Sequence, residues 1–333
     1  MTHEQPSLQD SFQRSITYMR ISVTDRCNLR CVYCMPPEGV PWIPHEEILS
    51  FEEIERIVRA TATLGMRRIR ITGGEPLVRR GLPALVRSLA AVPGIEDVSM
   101  TTNAVLMPEF AGDLVRAGLK RINVSLDTLR PERFARISRG GQLDRVLEGI
   151  DAAQRAGLAP IKINAVVLRG INDDELLDLA SLTLNRPWHV RFIEAMPLEG
   201  NLPVEGAGFI SADEMMVRLR ELGHLEACDG PNGNGPARYY RIPGATGTVG
   251  VISPMSHFYC ESCNRVRLSA DGKLRLCLFD DLQVDLRTPL RAGASSQEIS
   301  DLFRRAIVSK PERHHLDVGQ AGCSLKALSQ IGG

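Results

Sequence analysis

The stretch TYMRISVTDRCNLRCVYC, residues 17–34, joins a predicted strand at 17–23 to three closely spaced cysteines. A helical pattern begins after Ser50, which has the spacing of a capping box with Glu53, and a second predicted strand follows at 67–72. A strand, a helix and another strand in this order predict a right-handed crossover between parallel strands. The stretch therefore predicts the first unit of an α/β fold.

The alternation of strands and helices continues to residue 195. The remaining predicted strands lie at 97–101, 121–126, 161–168 and 189–195. The predicted helices lie at 51–64, 81–91, 108–117, 131–137, 143–156 and 173–184. Eight βα units close a full barrel of about 250 residues, so six units predict an incomplete (β/α)6 TIM-like barrel that is open on one side. A doubly wound parallel sheet is the alternative.

The pattern becomes less regular after residue 195. We therefore predict two domains, a partial barrel at 1–200 and a C-terminal α+β region at 201–333. A stretch rich in Gly, Pro and Asn at 228–236 is predicted to be a loop. The predicted elements of this region are helices at 211–222 and 296–310 and strands at 238–242, 248–252, 266–269 and 273–278.

Composition and charge exclude several classes of protein. The chain has 333 residues, of which 43% are hydrophobic, and its 40 basic and 40 acidic residues leave no net charge. A chain without net charge has no general attraction to nucleic acid or to anionic lipid, so neither is expected as a partner. The sequence has no apolar run of about 18 residues, and residues 1–10 are polar. We expect no membrane span, no secretion signal and a cytoplasmic protein.

Eight cysteines are the unusual feature of the composition, and six of them form two triplets. The first triplet is Cys27, Cys31 and Cys34, and the auxiliary triplet is Cys260, Cys263 and Cys277. Zinc sites and four-iron clusters usually take four protein ligands, so three thiolates leave one corner for a non-protein ligand. The spacing also allows a zinc site in which His257 joins the auxiliary triplet. Cys228 and Cys323 stand alone and are read as ordinary thiols.

Polar residues collect at the predicted carboxyl ends of the strands, where parallel α/β sheets bind ligands. The second strand ends in a Thr-Gly-Gly-Glu-Pro motif at 72–76, in which the glycines allow close approach of the backbone to a ligand. Arg70 and Lys162 lie on strands that helices should cover, so we expect them to point into a wet interior. No P-loop motif is present, so any phosphate must be held by arginine and lysine side chains.

The first cysteine triplet after strand one, with Gly-Gly-Glu-Pro at 73–76, resembles the radical S-adenosylmethionine superfamily. Residues 20–31, 70–76, 122–127 and 191–194 are similar to the GTP 3′,8-cyclase family of molybdenum cofactor biosynthesis. Residues 260–267, the surroundings of Cys277 and the terminal Gly-Gly also match that family.

The resemblance implies cofactors and site residues. It implies two [4Fe-4S] clusters, one on each cysteine triplet, and S-adenosylmethionine bound at the first. The implied S-adenosylmethionine contacts are Tyr33, Gly74, Ser125 and Met196. The implied GTP contacts are Arg20, Arg70, Thr101, Lys162, Arg265 and Arg267. The implied catalytic residues are Arg265, Arg267, Gly332 and Gly333.

The resemblance also implies a reaction, that of a lyase. A 5′-deoxyadenosyl radical would abstract the C3′ hydrogen of GTP, and C3′ would bond to guanine C8. The product would be (8S)-3′,8-cyclo-7,8-dihydroguanosine 5′-triphosphate, on which a downstream cyclic pyranopterin monophosphate synthase would act. A low-potential electron donor and a homodimer are further implications. The alternatives are a peptide-modifying radical enzyme with an auxiliary cluster and a non-catalytic two-cluster electron carrier.

Overall fold

The computed structural model describes residues 8–196, 208–231 and 235–314. Within these residues twelve strands form one sheet. Six parallel strands follow one another in chain order, namely β1 Tyr18–Ser22, β2 Arg68–Thr72, β3 Asp97–Thr102, β4 Arg121–Ser125, β5 Ile161–Val167 and β6 Trp188–Glu194. The six predicted strands agree with these bounds to within one residue at either end. A doubly wound sheet would reverse its strand order, so the sequential order establishes the incomplete (β/α)6 barrel.

The C-terminal strands extend this sheet at both edges, which periodicity did not predict. At one edge, β10 (Arg265–Leu268) pairs in parallel with β1, and at the other, β9 (Thr248–Ile252) pairs in parallel with β6. The outer strands are β11 Lys273–Arg275 and β12 Gln283–Asp285 beyond β10, and β8 Arg238–Arg241 and β7 Glu226–Cys228 beyond β9. Within the described residues no pairing joins β12 to β7, so the barrel remains open.

Two predictions for the C-terminal region were wrong in detail, and two strands were missed. The predicted loop at 228–236 begins inside β7, and the predicted strand at 273–278 ends at Arg275. The three-residue strands β7 and β12 carry exposed or half-buried residues and pair at sheet edges, so they show too little alternation to be recognised. The predicted domain boundary at residue 200 and the terminal Gly332 and Gly333 lie outside the described residues.

The helices cover the sheet and end close to the predicted residues. They are α1 Phe51–Ala62, α2 Leu82–Ala90, α3 Met107–Arg116, α4 Pro131–Ser138, α5 Leu143–Arg155, α6 Leu176–Asn185, α7 Ala212–Leu219, α8 Arg287–Arg291 and α9 Ser296–Val308. Short 3₁₀ turns lie at His45–Glu47, Pro76–Val78, Asp173–Glu175 and Arg220–Leu222. The predicted capping box is formed, because Ser50 Oγ accepts from the amide of Glu53 while Glu53 accepts from that of Ser50. No helix in the described residues is long and apolar enough to cross a membrane.

Packing of the elements leaves an apolar layer outside the barrel and a polar interior. On β2, Ile69 and Ile71 are fully buried and belong to the main hydrophobic cluster. Arg70 lies between them in sequence and is also buried, at 7% exposure. Successive side chains of a strand point to opposite faces, so Arg70 faces away from the layer that the isoleucines join. The charged face of β2 therefore belongs to the interior of the barrel.

Candidate active site

A cavity of about 240 Å³ lies inside the barrel and receives side chains from all six parallel strands and from β10. Most of the predicted site residues line it. These are the first triplet, together with Arg20, Tyr33, Arg70, Gly74, Thr101, Ser125, Met196, Arg265 and Arg267. Lys162 and the three auxiliary cysteines are absent from its lining. Thus the structure brings residues 20 to 267 of the chain to one place, with the first triplet exposed to the same space as five arginines.

The first triplet consists of three free thiols that face the cavity. The amide of Leu29 donates to Cys27 Sγ at 3.4 Å, and Asn103 Nδ2 lies 3.9 Å from the same sulfur. Burial, followed by the charge of Glu75, raises the pKa of Cys27 to about 11. Burial and then the nearby Cys34 raise the pKa of Cys31 well above its usual value. Such thiols become thiolates when a bound metal compensates their charge.

Glu75 holds the Gly-Gly loop against the end of the neighbouring strand. Its carboxylate accepts hydrogen bonds from the Leu77 amide at 3.1 Å, the Thr102 hydroxyl at 2.8 Å and the Asn103 amide at 2.7 Å. Burial raises the pKa of Glu75 to about 7, although these hydrogen bonds oppose the rise. The carboxylate therefore joins the loop after β2 to the residues after β3, beside the first triplet. It belongs to the 73–76 motif, but the sequence did not indicate this positioning role.

Packing requires both glycines of this loop, and the contact is tighter at Gly74. A Cβ atom at this position would lie 2.3 Å from the backbone oxygen of Arg26, which no relaxed structure could accommodate. The loop after β2 thus lies directly against the loop that carries the first triplet. The predicted S-adenosylmethionine contact at Gly74 and the cysteines consequently share one rim of the cavity.

Tyr33 is held by a buried carboxylate. Its hydroxyl donates to Asp127 Oδ2 at 2.6 Å, while Asp127 Oδ1 accepts from the Val166 amide at 2.8 Å. Burial raises the pKa of Asp127 to about 6, and burial followed by the Asp127 charge raises that of Tyr33 well above its usual value. The aromatic ring between Cys31 and Cys34 is therefore fixed to the ends of β4 and β5.

Arginines form a row across three neighbouring strands that line the cavity. Arg20 on β1 is in register with Arg70 on β2 and with Arg267 on β10. Arg265 is two residues before Arg267 and so lies on the same face of β10. Burial, and after it the neighbouring arginines, lowers the pKa of Arg20 to about 9. Buried charges of one sign repel each other, so the row is arranged to meet an anion.

Several buried polar atoms in this cavity have no hydrogen-bond partner among the described residues. They are Tyr18 Oη, Thr101 Oγ1, Asn164 Oδ1 and the Nε atoms of Arg191, Arg265 and Arg267. Buried donors and acceptors are nearly always satisfied in proteins, and an unsatisfied one costs about 1–3 kcal/mol. A ligand with several acceptor oxygens and at least one donor would satisfy this set.

Lys162 lies next to the cavity but outside its lining, at 2% exposure. Its Nζ donates to the backbone oxygen of Pro231 at 3.3 Å. Burial, followed by the charges of Arg191, Arg121 and Arg70, lowers the pKa of Lys162 to about 6. As expected, Lys162 lies in the polar interior. A direct contact between Lys162 and GTP stays a prediction.

Arg191 and Asn164 line the cavity but were not among the predicted site residues. They are register partners on β6 and β5, and Asn164 is two residues after Lys162 on the same face. Their strand periodicity is the signal in the sequence that could have placed them in the site.

The auxiliary triplet is next in sequence to residues that line the cavity. Tyr259, Arg265, Arg267 and Leu278, which flank its cysteines in sequence, line the cavity, although the cysteines themselves do not. His257 Nε2 instead lies 2.9 Å from both carboxylate oxygens of Asp213. Within residues 8–196, 208–231 and 235–314, no three His, Cys, Asp or Glu side chains are arranged around a single ion. The zinc alternative with His257 is therefore not supported.

Comparison with known proteins identifies two family segments in succession. The Radical SAM superfamily matches residues 21–183, and Molybdenum Cofactor Synthesis C matches residues 188–316. Among solved structures, SuiB of Streptococcus suis bound to S-adenosylmethionine has a TM-score of 0.61 at 14% identity, covering 92% of this chain and 78% of that chain. This likeness concerns the fold.

Relatives of nearly the same length decide the family. The GTP 3′,8-cyclase of Pelotomaculum thermopropionicum is 53% identical and covers 98% of this chain and 100% of its own. The GTP 3′,8-cyclase of Heliobacterium modesticaldum is 52% identical and covers 97% of this chain and 99% of its own. This chain belongs to the GTP 3′,8-cyclase family. The family that the sequence motifs predicted is therefore confirmed.

Membership of the GTP 3′,8-cyclase family, and through it of the radical S-adenosylmethionine superfamily, implies an iron–sulfur cluster and S-adenosylmethionine. The first triplet fits such a cluster. Its thiols are free and face the cavity together, and Cys27 Sγ accepts from the Leu29 amide.

Proposed function

We propose that this chain is a GTP 3′,8-cyclase that converts GTP to (8S)-3′,8-cyclo-7,8-dihydroguanosine 5′-triphosphate, the first step of molybdenum cofactor biosynthesis. The observation that carries the proposal is one cavity that is lined both by the first cysteine triplet and by a row of buried and half-buried arginines. A radical generator and a polyanion site in the same space are what this reaction requires.

The arginine row is suited to the triphosphate of GTP. Arg20, Arg70, Arg265 and Arg267 offer planar, permanently charged groups that bind phosphate oxygens in pairs, and the row carries donors that the described residues do not satisfy. Thr101 Oγ1 and Asn164 Oδ1 add a hydroxyl and a carbonyl oxygen for the sugar or the base. We assign the GTP contacts to this set, with Lys162 and Arg191 beside it.

The cysteines would hold two [4Fe-4S] clusters, one on the first triplet and one on the auxiliary triplet. Cys27, Cys31 and Cys34 would hold the first cluster, which would supply the electron for cleaving S-adenosylmethionine to methionine and the 5′-deoxyadenosyl radical that abstracts the C3′ hydrogen of GTP. Tyr33, Gly74, Ser125 and Met196 line the same cavity as these cysteines and are proposed to hold S-adenosylmethionine.

The protein's own residues orient the reactants and exclude water. Glu75 and Asp127 are buried, at 1% and 5% exposure, and each bridges two neighbouring strand ends. Such positioning holds two reactants at a fixed separation, which is the main contribution a protein makes when a cofactor supplies the reactive group. Arg265 and Arg267 are proposed to act at the substrate, together with Gly332 and Gly333 of the tail.

Further proposals follow from the family. We infer a low-potential electron donor, a downstream cyclic pyranopterin monophosphate synthase that acts on the product, a homodimer and a place in the cytoplasm. The division into domains 1–200 and 201–333 is proposed as well.

The test is an anaerobic assay of reconstituted protein with dithionite, S-adenosylmethionine and GTP deuterated at C3′. We expect one deuterium in 5′-deoxyadenosine, a cyclised nucleotide and about eight iron atoms per chain. Cleavage that occurs with a peptide but not with GTP would favour the peptide-modifying alternative. A protein that holds iron but does not cleave S-adenosylmethionine would be the electron carrier.

A further inference from the structure

Lys310 is a buried lysine that the proposed reaction does not use. It follows α9 and is 3% exposed. Its Nζ donates to the backbone oxygen of Leu276, the carbonyl that is bonded to the amide nitrogen of Cys277. Among the described residues, the Leu276 oxygen is the hydrogen-bond acceptor of this ammonium, and no described carboxylate forms an ion pair with it. A buried ammonium without a carboxylate partner is costly unless another anion lies near it.

The anions available to Lys310 are the sulfurs of the auxiliary triplet. The Leu276 carbonyl that accepts from the Lys310 Nζ is joined by one peptide bond to Cys277, so the buried ammonium lies against the backbone of one cysteine of the triplet. The next residue, Pro311, is held beside Cys260, because the backbone oxygens of both accept from the guanidinium of Arg14. Lys310 therefore lies beside two segments that carry the auxiliary cysteines, and three thiolates would give it the negative charge that it lacks.

A second buried cation at this triplet provides a contrast. Arg14 donates to the backbone oxygen of Cys260 at 2.8 Å and to that of Pro311 at 2.6 Å. Its Nε, however, forms an ion pair with the buried carboxylate of Asp10 at 2.6 Å. Arg14 thus secures the loop of Cys260 while its charge is neutralised, whereas the charge of Lys310 remains available to the sulfurs.

We propose that Lys310 is a positioning residue of the auxiliary triplet whose charge raises the reduction potential of the cluster bound there. The inference rests on the proposed function, because it requires a cluster at that triplet. One-electron reduction by dithionite makes the cluster more negative, so a fixed positive charge beside the sulfurs stabilises the reduced form. Its removal should make reduction less favourable.

The test uses the full chain with Cys27→Ala, Cys31→Ala and Cys34→Ala, so that iron is bound at the auxiliary triplet alone. Redox titration followed by electron paramagnetic resonance then reports one cluster. We expect Lys310→Met to lower the equilibrium constant for reduction about tenfold or more, which is a potential shift of about 59 mV to more negative values. Lys310→Arg keeps the charge and should remain within about threefold of the parent. Arg304→Met removes an exposed charge from the same region and should change nothing measurable, because solvent screens it.

An unchanged potential in Lys310→Met would overturn the inference and leave the proposed function intact. Should Lys310→Met lose the cluster while Lys310→Arg keeps it, the charge is needed for binding, which supports the inference. Loss of the cluster in both variants would overturn it, because the side-chain shape and not the charge would then matter. A parent that binds no iron would overturn both this inference and the second cluster of the proposed function.

Discussion

The low pKa of Lys162 makes binding of GTP a proton-coupled event. Burial and the neighbouring cations lower this pKa to about 6, so at pH 7 about one molecule in eleven carries the ammonium. A bound triphosphate favours the charged form and would raise the pKa above about 9. Each GTP bound at pH 7 should then bring about 0.9 proton onto Lys162.

The sign of the pH dependence follows from this uptake. Because the complex holds more protons than its separated components, affinity falls as pH rises. The contribution of Lys162 to the association constant should therefore decrease about tenfold between pH 7 and pH 8, as long as the pKa of the complex remains higher. Below pH 6 the free protein already carries the charge, so the dependence should flatten.

Isothermal titration calorimetry measures the uptake directly. Anaerobically reconstituted protein is titrated with GTP at pH 7, without S-adenosylmethionine so that no turnover occurs, in buffers of different ionisation enthalpy. Lys162→Arg is the matched control, because its guanidinium stays charged at every pH used. Subtraction of this variant cancels protons that GTP and other groups exchange, and about 0.9 proton should remain. Equal uptake by the parent and by Lys162→Arg would refute the reasoning, while Lys162→Met should bind more weakly than either.

Three further perturbations test the site. Cys277→Ala should still cleave S-adenosylmethionine with dithionite but yield no cyclised nucleotide, and a full product yield would contradict the role of the auxiliary triplet. Glu75→Gln puts an amide donor where buried amide and hydroxyl donors need an acceptor. Urea denaturation should therefore show a free energy of unfolding that is lower by about 1–3 kcal/mol. A change below about 0.5 kcal/mol would contradict the positioning role of Glu75. Gly74→Ala should reduce S-adenosylmethionine cleavage tenfold or more, because its Cβ would lie 2.3 Å from a backbone oxygen. In the control Gly112→Ala, the added Cβ would lie 3.3 Å from the end of the flexible Arg116 side chain, so cleavage at the parent rate is expected. Equal cleavage rates in Gly74→Ala and Gly112→Ala would show that the tight packing at Gly74 is unimportant.

Much of the barrel could be predicted from local pattern. The predicted strand 121–126 is observed as Arg121–Ser125, and the predicted helix 143–156 as Leu143–Arg155. These elements have strong periodicity and end at glycines, prolines or caps, which act over only a few residues. The cysteine triplets could be recognised for the same reason, because most of their cysteines are separated by only two or three residues.

Contacts between residues that are far apart in sequence were decided only by the tertiary structure. The register of β10 against β1, which places Arg267 beside Arg20, joins residues far apart in sequence, and no local pattern encodes it. Lys310 reaches the triplet in the same way, through a contact between the end of α9 and residue 276. The sequence thus determined which elements and which chemical groups are present, because propensity, caps and spacing are local. Tertiary structure decided which groups share a cavity and which charges lie buried together, because strand pairing and burial depend on the whole chain.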